Sequence, residues 1–432
     1  MITLYFGENP SALVATTIFI GTYALIVAER LPRTIAAMLG AVLVVVTGLI
    51  SQEQAAGSID FNTIGLLVGM MVIVAVTRRS GVFEYTAVWV AKRSKGEPVR
   101  ILVLLSVLTA VLSALLDNVT TVLFTVPIAL VIADRIGVSP YPFLVAQIVS
   151  SNIGGTATLI GDPPNIMISH PAGLSFTDFI LNLAPVSAVI LIITLALFVL
   201  IFKNRLQISP EERQKIMTLN EEDFLKDRGL IKPSLIVLSL TLVGFGLHEW
   251  LHLGSATIAL TGATVLVLIT RDEPEHIFLA VEWPSIFFFV GLFVVVGALE
   301  KTGVIEAVAR AGLDLTGGEL LPTGLLVLWM AAIASTIVDN IPFVATMIPL
   351  VQEFGRLGHL QDLNPIWWAL ALGACLGGNG SLIGAAANII VAGVAEKYGS
   401  PVSFWDYFKI GFPLTIVSIV IATAYLVVFY LR

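Results

Sequence analysis

Two Asp-Asn pairs stand in the middle of long apolar stretches that contain no Lys or Arg. The pairs are Asp117-Asn118 within 101–134 and Asp339-Asn340 within 321–355. A charge at the centre of a bilayer costs several kcal/mol, so an ionisable residue there is by default a functional-site hypothesis. The structural alternative is that each Asp caps the helix that follows it through backbone amides.

Two glycine-rich segments carry further polar side chains. They are GGTATLIGDPPN at 154–165 and GGNGSLIGAAAN at 377–388. Glycine permits tight turns and proline donates no amide hydrogen, so each segment is expected to break a helix. Unwound backbone at membrane depth exposes carbonyls that hold a cation or a polar solute. Asp162 has Ala385 as its counterpart, so the two segments differ in charge.

The candidate residues for binding a solute or an ion come from these segments and their neighbours. They are Asp117, Asn118, Thr120, Asn152, Gly154, Gly155, Thr156, Thr158, Asp162, Asn165, Asp339, Asn340, Cys375, Gly378, Asn379, Ser381 and Asn388. A buried carboxylate can take up a proton, so Asp117 and Asp339 are expected to carry the coupling proton. The amides and hydroxyls are expected to bind solute or to order the loops. A single cysteine excludes a multi-cysteine metal centre, and no metal site is expected.

The composition is that of a membrane protein. Of 432 residues, 57% are hydrophobic and 12% are charged, against about 25% charged in an average soluble protein. No basic stripe of the kind that binds nucleic acid is present. Apolar runs of spanning length predict an all-α membrane protein. The expected spans are 11–29, 34–50, 62–78, 140–168, 178–203, 233–252, 255–270, 284–300, 365–395 and 410–431.

The two stretches that carry Asp-Asn are too long for simple spans. We interpret each as a re-entrant hairpin of two half-helices, because irregular backbone is tolerated at depth where protein covers it. Two amphipathic segments, 82–95 and 304–314, are expected to lie along the membrane interface. Each follows a glycine.

The sequence matches itself at an offset of 222 residues. IDFNTIGLLVG at 59–69 falls on VEWPSIFFFVG at 281–291, and DNVTTVLFTVP falls on DNIPFVATMIP. The glycine-rich segments match at an offset of 223. We therefore expect two repeats of five transmembrane helices, each with one re-entrant hairpin and a broken helix. An odd number of crossings inverts the second copy, as in secondary transporters. The units are 11–203 and 233–432, with a linker at 204–232.

The linker also predicts the orientation. It is the one long polar stretch and is rich in Lys and Arg, which places it in the cytoplasm. Alternation from it places both termini on the outer side. We expect a multi-pass protein of the cell inner (plasma) membrane.

The segments LLDNVTTVLFTVP and SNIGGTATLIGDPPNIMI resemble those of the ion transporter superfamily. That superfamily includes arsenite permeases, NhaD-type Na⁺/H⁺ antiporters, the melanocyte P protein and divalent anion/Na⁺ symporters. The resemblance covers nearly the whole chain. It implies a fixed region, a mobile transport region and two hairpin tips that meet at the site, with a homodimer as the candidate assembly.

The residues at the two hairpin tips differ between the members of this superfamily and indicate which member the chain resembles. Divalent anion symporters carry Ser-Asn-Thr there, whereas this chain has Asp117-Asn118-Val119 and Asp339-Asn340-Ile341. The change of Ser to Asp and the loss of Thr favour proton coupling over Na⁺-dicarboxylate symport. The Asp-Asn pairs are similar to those of NhaD-type antiporters. The second loop shares the Gly-x-Cys start of arsenite permeases at Gly373-Ala374-Cys375.

We therefore expect an ion-coupled secondary transporter that exports arsenite or antimonite against protons. Arsenite is an uncharged trihydroxide at neutral pH, which suits a site of Asn, Thr and backbone carbonyls without Lys or Arg. Two alternatives remain open: a Na⁺/H⁺ antiporter, and an organic or inorganic anion permease coupled to Na⁺ or H⁺. The sequence contains no nucleophile–base pair that would indicate an enzyme. No Walker A motif is present, so energy is expected from an H⁺ or Na⁺ gradient, without a cofactor, or from a soluble ATPase subunit.

Overall fold

The protein is built from α-helices, and the part of the chain that the structure describes contains no β-strand. The structure is a computed structural model that describes residues 9–28, 30–271, 273–358, 360 and 362–431. Within these residues, nine helices are long and apolar enough to cross a bilayer. The expectation of an all-α membrane protein is therefore confirmed. The last residues of the expected span 11–29 and of the expected unit 233–432 lie outside the described residues.

The first half of the chain contains ten helices before the linker. They are α1 Pro10–Val27, α2 Arg33–Val46, α3 Gln52–Gly57, α4 Phe61–Arg79, α5 Val82–Arg93, α6 Pro98–Leu115, α7 Asn118–Arg135, α8 Tyr141–Thr156, α9 Pro163–Ala172 and α10 Phe176–Phe202. The linker holds α11 Pro210–Met217 and a short 3₁₀ turn at Glu221–Phe224.

The second half repeats this order with small differences. Its helices are α12 Arg228–Gly246, α13 His248–Leu251, α14 Ser255–Thr270, α15 Pro274–Ala280, α16 Trp283–Lys301, α17 Val304–Thr316, α18 Leu320–Ile337, α19 Asn340–Gly358, α20 Asn364–Gly377, α21 Ala386–Lys397 and α22 Phe404–Phe429. A 3₁₀ turn at Gly378–Gly380 follows α20.

Both Asp-Asn stretches form helical hairpins. Leu116 and Asp117 reverse the chain between α6 and α7, and Val338 and Asp339 reverse it between α18 and α19. The arms have 18 or 19 residues, and the hairpins extend at most three residues beyond the expected stretches. Helix α6 begins at Pro98, ahead of the apolar run, because proline is favoured at the first helical position. Arms of this length could also cross a bilayer, so the re-entrant placement stays a prediction.

The glycine-rich segments break two long helices, as expected. Helix α8 ends at Thr156 and α9 begins at Pro163, while α20 ends at Gly377 and α21 begins at Ala386. The residues just before α9 and α21 are extended, with φ of −145° and −151°. Each break therefore leaves backbone groups without helical partners beside the hairpin tips.

The two halves interlock through glycine contacts. Helix α2 packs along α16, and α14 packs along α4. A Cβ atom added to Gly69 would lie 2.6 Å from the backbone of Ala259, and one added to Gly291 would lie 2.7 Å from the backbone of Ala37. The offset of 222 residues relates one contact to the other, so equivalent helices make equivalent contacts. Inversion of one unit relative to the other stays a prediction.

The amphipathic segments form α5 and α17, close to their expected bounds. Both helices begin after a glycine in the left-handed region, with φ of 78° at Gly81 and 77° at Gly303. This conformation favours glycine because a side chain would clash with the backbone. Their placement along the membrane interface stays a prediction.

The linker folds against α5. Glu221 pairs with Lys92, and the backbone N–H of Lys226 donates to the carbonyl of Ser80 at 3.0 Å. Helix α12 begins at Arg228 because Asp227 caps it, so residues 228–232 of the expected linker are helical.

Candidate functional site

A small internal cavity lies where the two hairpin tips meet the break between α8 and α9. Its volume is about 60 Å³, and four of the expected site residues line it: Asp117, Asn118, Asp162 and Asn340. Its other polar lining residues come from the first turn of α2 and the start of α16, and they are Arg33, Glu282 and Ser285. The cavity therefore collects side chains from both halves of the chain.

Asp339 forms an ion pair with Arg33. The distance from Arg33 Nη1 to Asp339 Oδ2 is 2.8 Å, and the guanidinium also lies over the ring of Phe288, 5.0 Å from its centroid. Our expectation of a site without Lys or Arg was therefore wrong. The four segments that carry the expected site do lack them, but α2 lies outside those segments. Its packing on α16 brings its first residue against the second hairpin tip.

Asp117 caps its own hairpin arm. Its Oδ1 accepts a hydrogen bond from the backbone N–H of Thr120 at 2.7 Å, and it sits at the N-terminus of α7. A helix N-terminus stabilises a negative charge. The charged group that acts on it is Glu282, which is also negative. Asp117 is therefore stabilised by helix amides and lacks the cationic partner that Asp339 has.

Asp162 is the most deeply buried of the three carboxylates, with 1% exposure. Its oxygens lie 3.3 and 3.4 Å from Nδ2 of Asn340 on the second hairpin, and the Cys375 thiol is its other polar neighbour. Pro163 and Pro164 follow it and donate no amide hydrogen. The side chain consequently makes no capping hydrogen bond to α9, although it occupies the capping position.

Four asparagines connect the two halves beside the cavity. Nδ2 of Asn118 donates to Oδ1 of Asn152 at 3.2 Å. Nδ2 of Asn152 donates to Oδ1 of Asn379 and of Asn388, both at 3.0 Å. Oδ1 of Asn118 and Nδ2 of Asn379 have no hydrogen-bond partner among the described residues. Buried polar atoms of this kind are usually satisfied by a solute or by ordered water.

Most of the remaining expected site residues lie in the two breaks or in the helix turns beside them. Asn165 donates to the carbonyls of Gly155, Thr156 and Thr158. Asn388 donates in the same way to Gly378 and Ser381. These residues stand behind the cavity wall, as do Gly154 and Cys375, and none of them lines the cavity.

A larger crevice of about 450 Å³ approaches the cavity from the side of Asp339. Arg30, Arg33 and Asp339 provide its charges, and apolar side chains form the rest of its lining. It shares Arg33, Ala386 and Ile390 with the cavity. A second crevice of about 210 Å³ shares Ile166 with the cavity and is lined by His170 and His248. The cavity thus adjoins both crevices.

Sequence reasoning missed Arg33, Glu282 and Ser285. Glu282 falls on Asp60 at the offset of 222 residues, at the start of a matched segment, and this repeated acid could have identified it. Arg33 falls on Ser255, so the repeat gives no signal for it. Its role depends on the packing of α2 against the other half of the chain.

The chain is similar to known transporters. The family model described as citrate transporter matches residues 23–373. A 46 kDa membrane protein of Mycobacterium leprae is 44% identical, covering 97% of this chain and 99% of the relative. An uncharacterized transporter of Mycobacterium tuberculosis is 44% identical over 96% of this chain and 98% of its own length. The human P protein is 33% identical over 96% of this chain and 59% of its own length.

Two solved structures share the fold at low sequence identity. The YdaH transporter of Alcanivorax borkumensis matches with a TM-score of 0.60 and 13% identity, covering 96% of this chain and 98% of its own. MtrF of Neisseria gonorrhoeae, from a class of antimetabolite efflux pumps, matches with a TM-score of 0.61 and 12% identity, covering 90% of this chain and 84% of its own.

Proposed function

Because the chain belongs to the citrate transporter family of the ion transporter superfamily, we propose that it is a proton-coupled secondary transporter that exports arsenite or antimonite. The observation that carries this proposal is the cavity shared by both halves, which buried carboxylates and amides line together. The carboxylates would take up the coupling proton, and the amides would hydrogen-bond the solute.

The size of the cavity favours a small cargo. A space of about 60 Å³ holds only a few water molecules. A trihydroxide of arsenic or antimony has a comparable size, whereas a tricarboxylate is several times larger. Asn118 lines the cavity, and its buried Oδ1 is an acceptor without a hydrogen-bond partner among the described residues.

The charge of the cavity disfavours a multivalent anion. Asp117, Asp162 and Glu282 line it with Arg33, and Asp339 already occupies that guanidinium. The surplus of carboxylates would repel citrate unless protons or a cation neutralised it. The same surplus favours a second candidate function, Na⁺/H⁺ antiport, in which the cation replaces a proton on the carboxylates.

Transport in everted membrane vesicles tests the proposal. Vesicles with the protein, energised by respiration, are compared with vesicles without it for uptake of labelled arsenite, uptake of labelled citrate, and collapse of the pH gradient by Na⁺ or Li⁺. We expect arsenite to accumulate and Asp117→Asn to abolish this accumulation. Asp314→Asn is the matched control, because Asp314 is exposed on α17 and does not line the cavity.

The other outcomes have distinct meanings. Collapse of the pH gradient by Na⁺ or Li⁺ without arsenite uptake would make the protein an antiporter. Uptake of citrate without uptake of arsenite would make the protein a citrate transporter, as the family's name describes. In either case the arsenite proposal would be withdrawn.

A further inference from the structure

The three aspartates of the site differ in how their negative charge is compensated. Asp339 lies 2.8 Å from the guanidinium of Arg33. Asp117 accepts the Thr120 N–H at a helix N-terminus. Asp162 has neither a cation nor a capping amide. An isolated carboxylate that is removed from water and not paired becomes neutral by taking a proton.

The groups that contact Asp162 supply no positive charge, and Arg33, which lines the same cavity with Glu282, is paired with Asp339. The tip of α19 contributes the Asn340 amide, which is neutral, and α20 contributes the Cys375 thiol. The other ionisable groups that act on Asp162 are Asp117 and Asp339, and both are negative. Two negative neighbours favour the uncharged form of a third acid.

The chain itself removes the compensation that Asp162 would otherwise receive. An aspartate before a helix normally accepts hydrogen bonds from the first backbone amides of that helix. Pro163 and Pro164 occupy the first two of those positions and have no N–H group, and the N–H of Asn165 at the third donates to the main-chain carbonyl of Asp162 at 3.0 Å. The carboxylate of Asp162 therefore receives no hydrogen bond from the first amides of the helix that it precedes.

We propose that Asp162 is the residue that holds the coupling proton, and that Asn340 senses whether the proton is present. This inference rests on the proposed proton-coupled transport and differs from the expectation that Asp117 and Asp339 carry the proton. The amide of Asn340 presents its NH₂ group to a carboxylate and, turned by half a rotation, its oxygen to a protonated acid. Because Asn340 lies on the second hairpin, proton binding in one half is felt by the other.

The proposed proton site at Asp162 has no counterpart in the second glycine-rich segment. Ala385 takes the place of Asp162 in the second break, and its side chain cannot bind a proton. Asp117 and Asp339, in contrast, are equivalent positions of the repeat with different partners. In this scheme Asp339 and Arg33 remain a charged pair, and Asp117 remains a charged cap.

Infrared spectroscopy of the purified protein in lipid nanodiscs tests the proton site without any cargo. We expect a protonated carboxylic acid band at neutral pH that shifts in D₂O. It should be absent from Asp162→Asn and still present in Asp117→Asn and Asp339→Asn. Asp162→Ala is the second variant, because alanine already stands at the equivalent position. A band that persists in both Asp162 variants would overturn the inference.

Transport then separates this inference from the proposed function. In wild-type vesicles, arsenite accumulation driven by a pH gradient should be lost in Asp162→Asn, and any arsenite counterflow that remains should no longer change with pH. Accumulation that persists in this variant would also overturn the inference. A different result would refute the proposed function and leave this inference standing. In that case the acid band depends on Asp162, but the wild-type protein shows no arsenite transport coupled to a pH gradient.

Discussion

At the scale of single residues, the site is organised by what each carboxylate faces. Asp339 faces a guanidinium that is one-third exposed, while its own side chain is only 10% exposed. This pair joins the first residue of α2 to the tip of the second hairpin, so it links elements from different halves of the chain. Removing one partner of a buried pair leaves the other charge without compensation, which costs more than the pair contributes.

We predict that Arg33→Gln destabilises the protein through Asp339. The loss should lie at or below the lower end of the range of about 3–5 kcal/mol measured for broken buried pairs, because Arg33 is partly exposed. Thermal unfolding in nanodiscs measures it. In an Asp339→Asn background the same Arg33→Gln change should cost much less. An equal loss in both backgrounds would show that the pair is not the cause.

At the scale of elements, the order of the long helices could be predicted from the sequence, whereas the short helices α3, α11, α13 and α15 were missed. Apolar runs gave the spans, and the Asp-Asn pairs inside over-long runs gave the hairpins. Gly377 marked the end of α20, whereas α8 continues past the expected break at Gly154-Gly155 and ends at Thr156. These features follow from local hydropathy and backbone preferences, which a sequence carries directly.

What could not be predicted depends on contacts between distant elements. The pairing of Arg33 with Asp339 requires α2 to pack on α16, and no local pattern encodes that packing. The start of α12 was missed for a simpler reason. Hydropathy places the boundary near residue 233, whereas Asp227 caps the helix ahead of the apolar run.

The interlocking helices carry a stability prediction. Gly69→Ala and Gly291→Ala should each destabilise the protein by about 1–3 kcal/mol, because the added methyl group meets backbone atoms that cannot move away. Gly21→Ala is the control, since a Cβ there meets nothing within 4 Å in another apolar helix. Thermal unfolding of the three variants tests this. Equal stability of all three would contradict close packing between α4 and α14 and between α2 and α16.

At the scale of the whole molecule, the chain predicts its own orientation in the membrane. The basic linker is expected in the cytoplasm, and the segment that contains α3 is expected outside. The one cysteine, Cys375, is fully buried. The wild-type protein should therefore react poorly with charged thiol reagents. Cysteines can be introduced into it for labelling without removing Cys375.

We predict opposite labelling of two introduced cysteines. Lys215→Cys on α11 should react with a membrane-impermeant maleimide only in everted vesicles or lysed cells. Gln52→Cys on α3 should react in intact cells. Both positions are exposed in the fold, so access depends on the side of the membrane. The reverse pattern would invert the topology, and labelling of both from one side would refute the inverted repeat.

The packing of α2 on α16 and of α4 on α14 has a consequence for the synthesis of the protein. While the ribosome has released only the first half, α2 and α4 have not met α16 and α14, and their glycine surfaces lie open to lipid. The first half of the chain therefore cannot complete these contacts before the second half has been made. The same dependence means that the gene could be split at the linker, with two separately translated polypeptides completing each other in the bilayer.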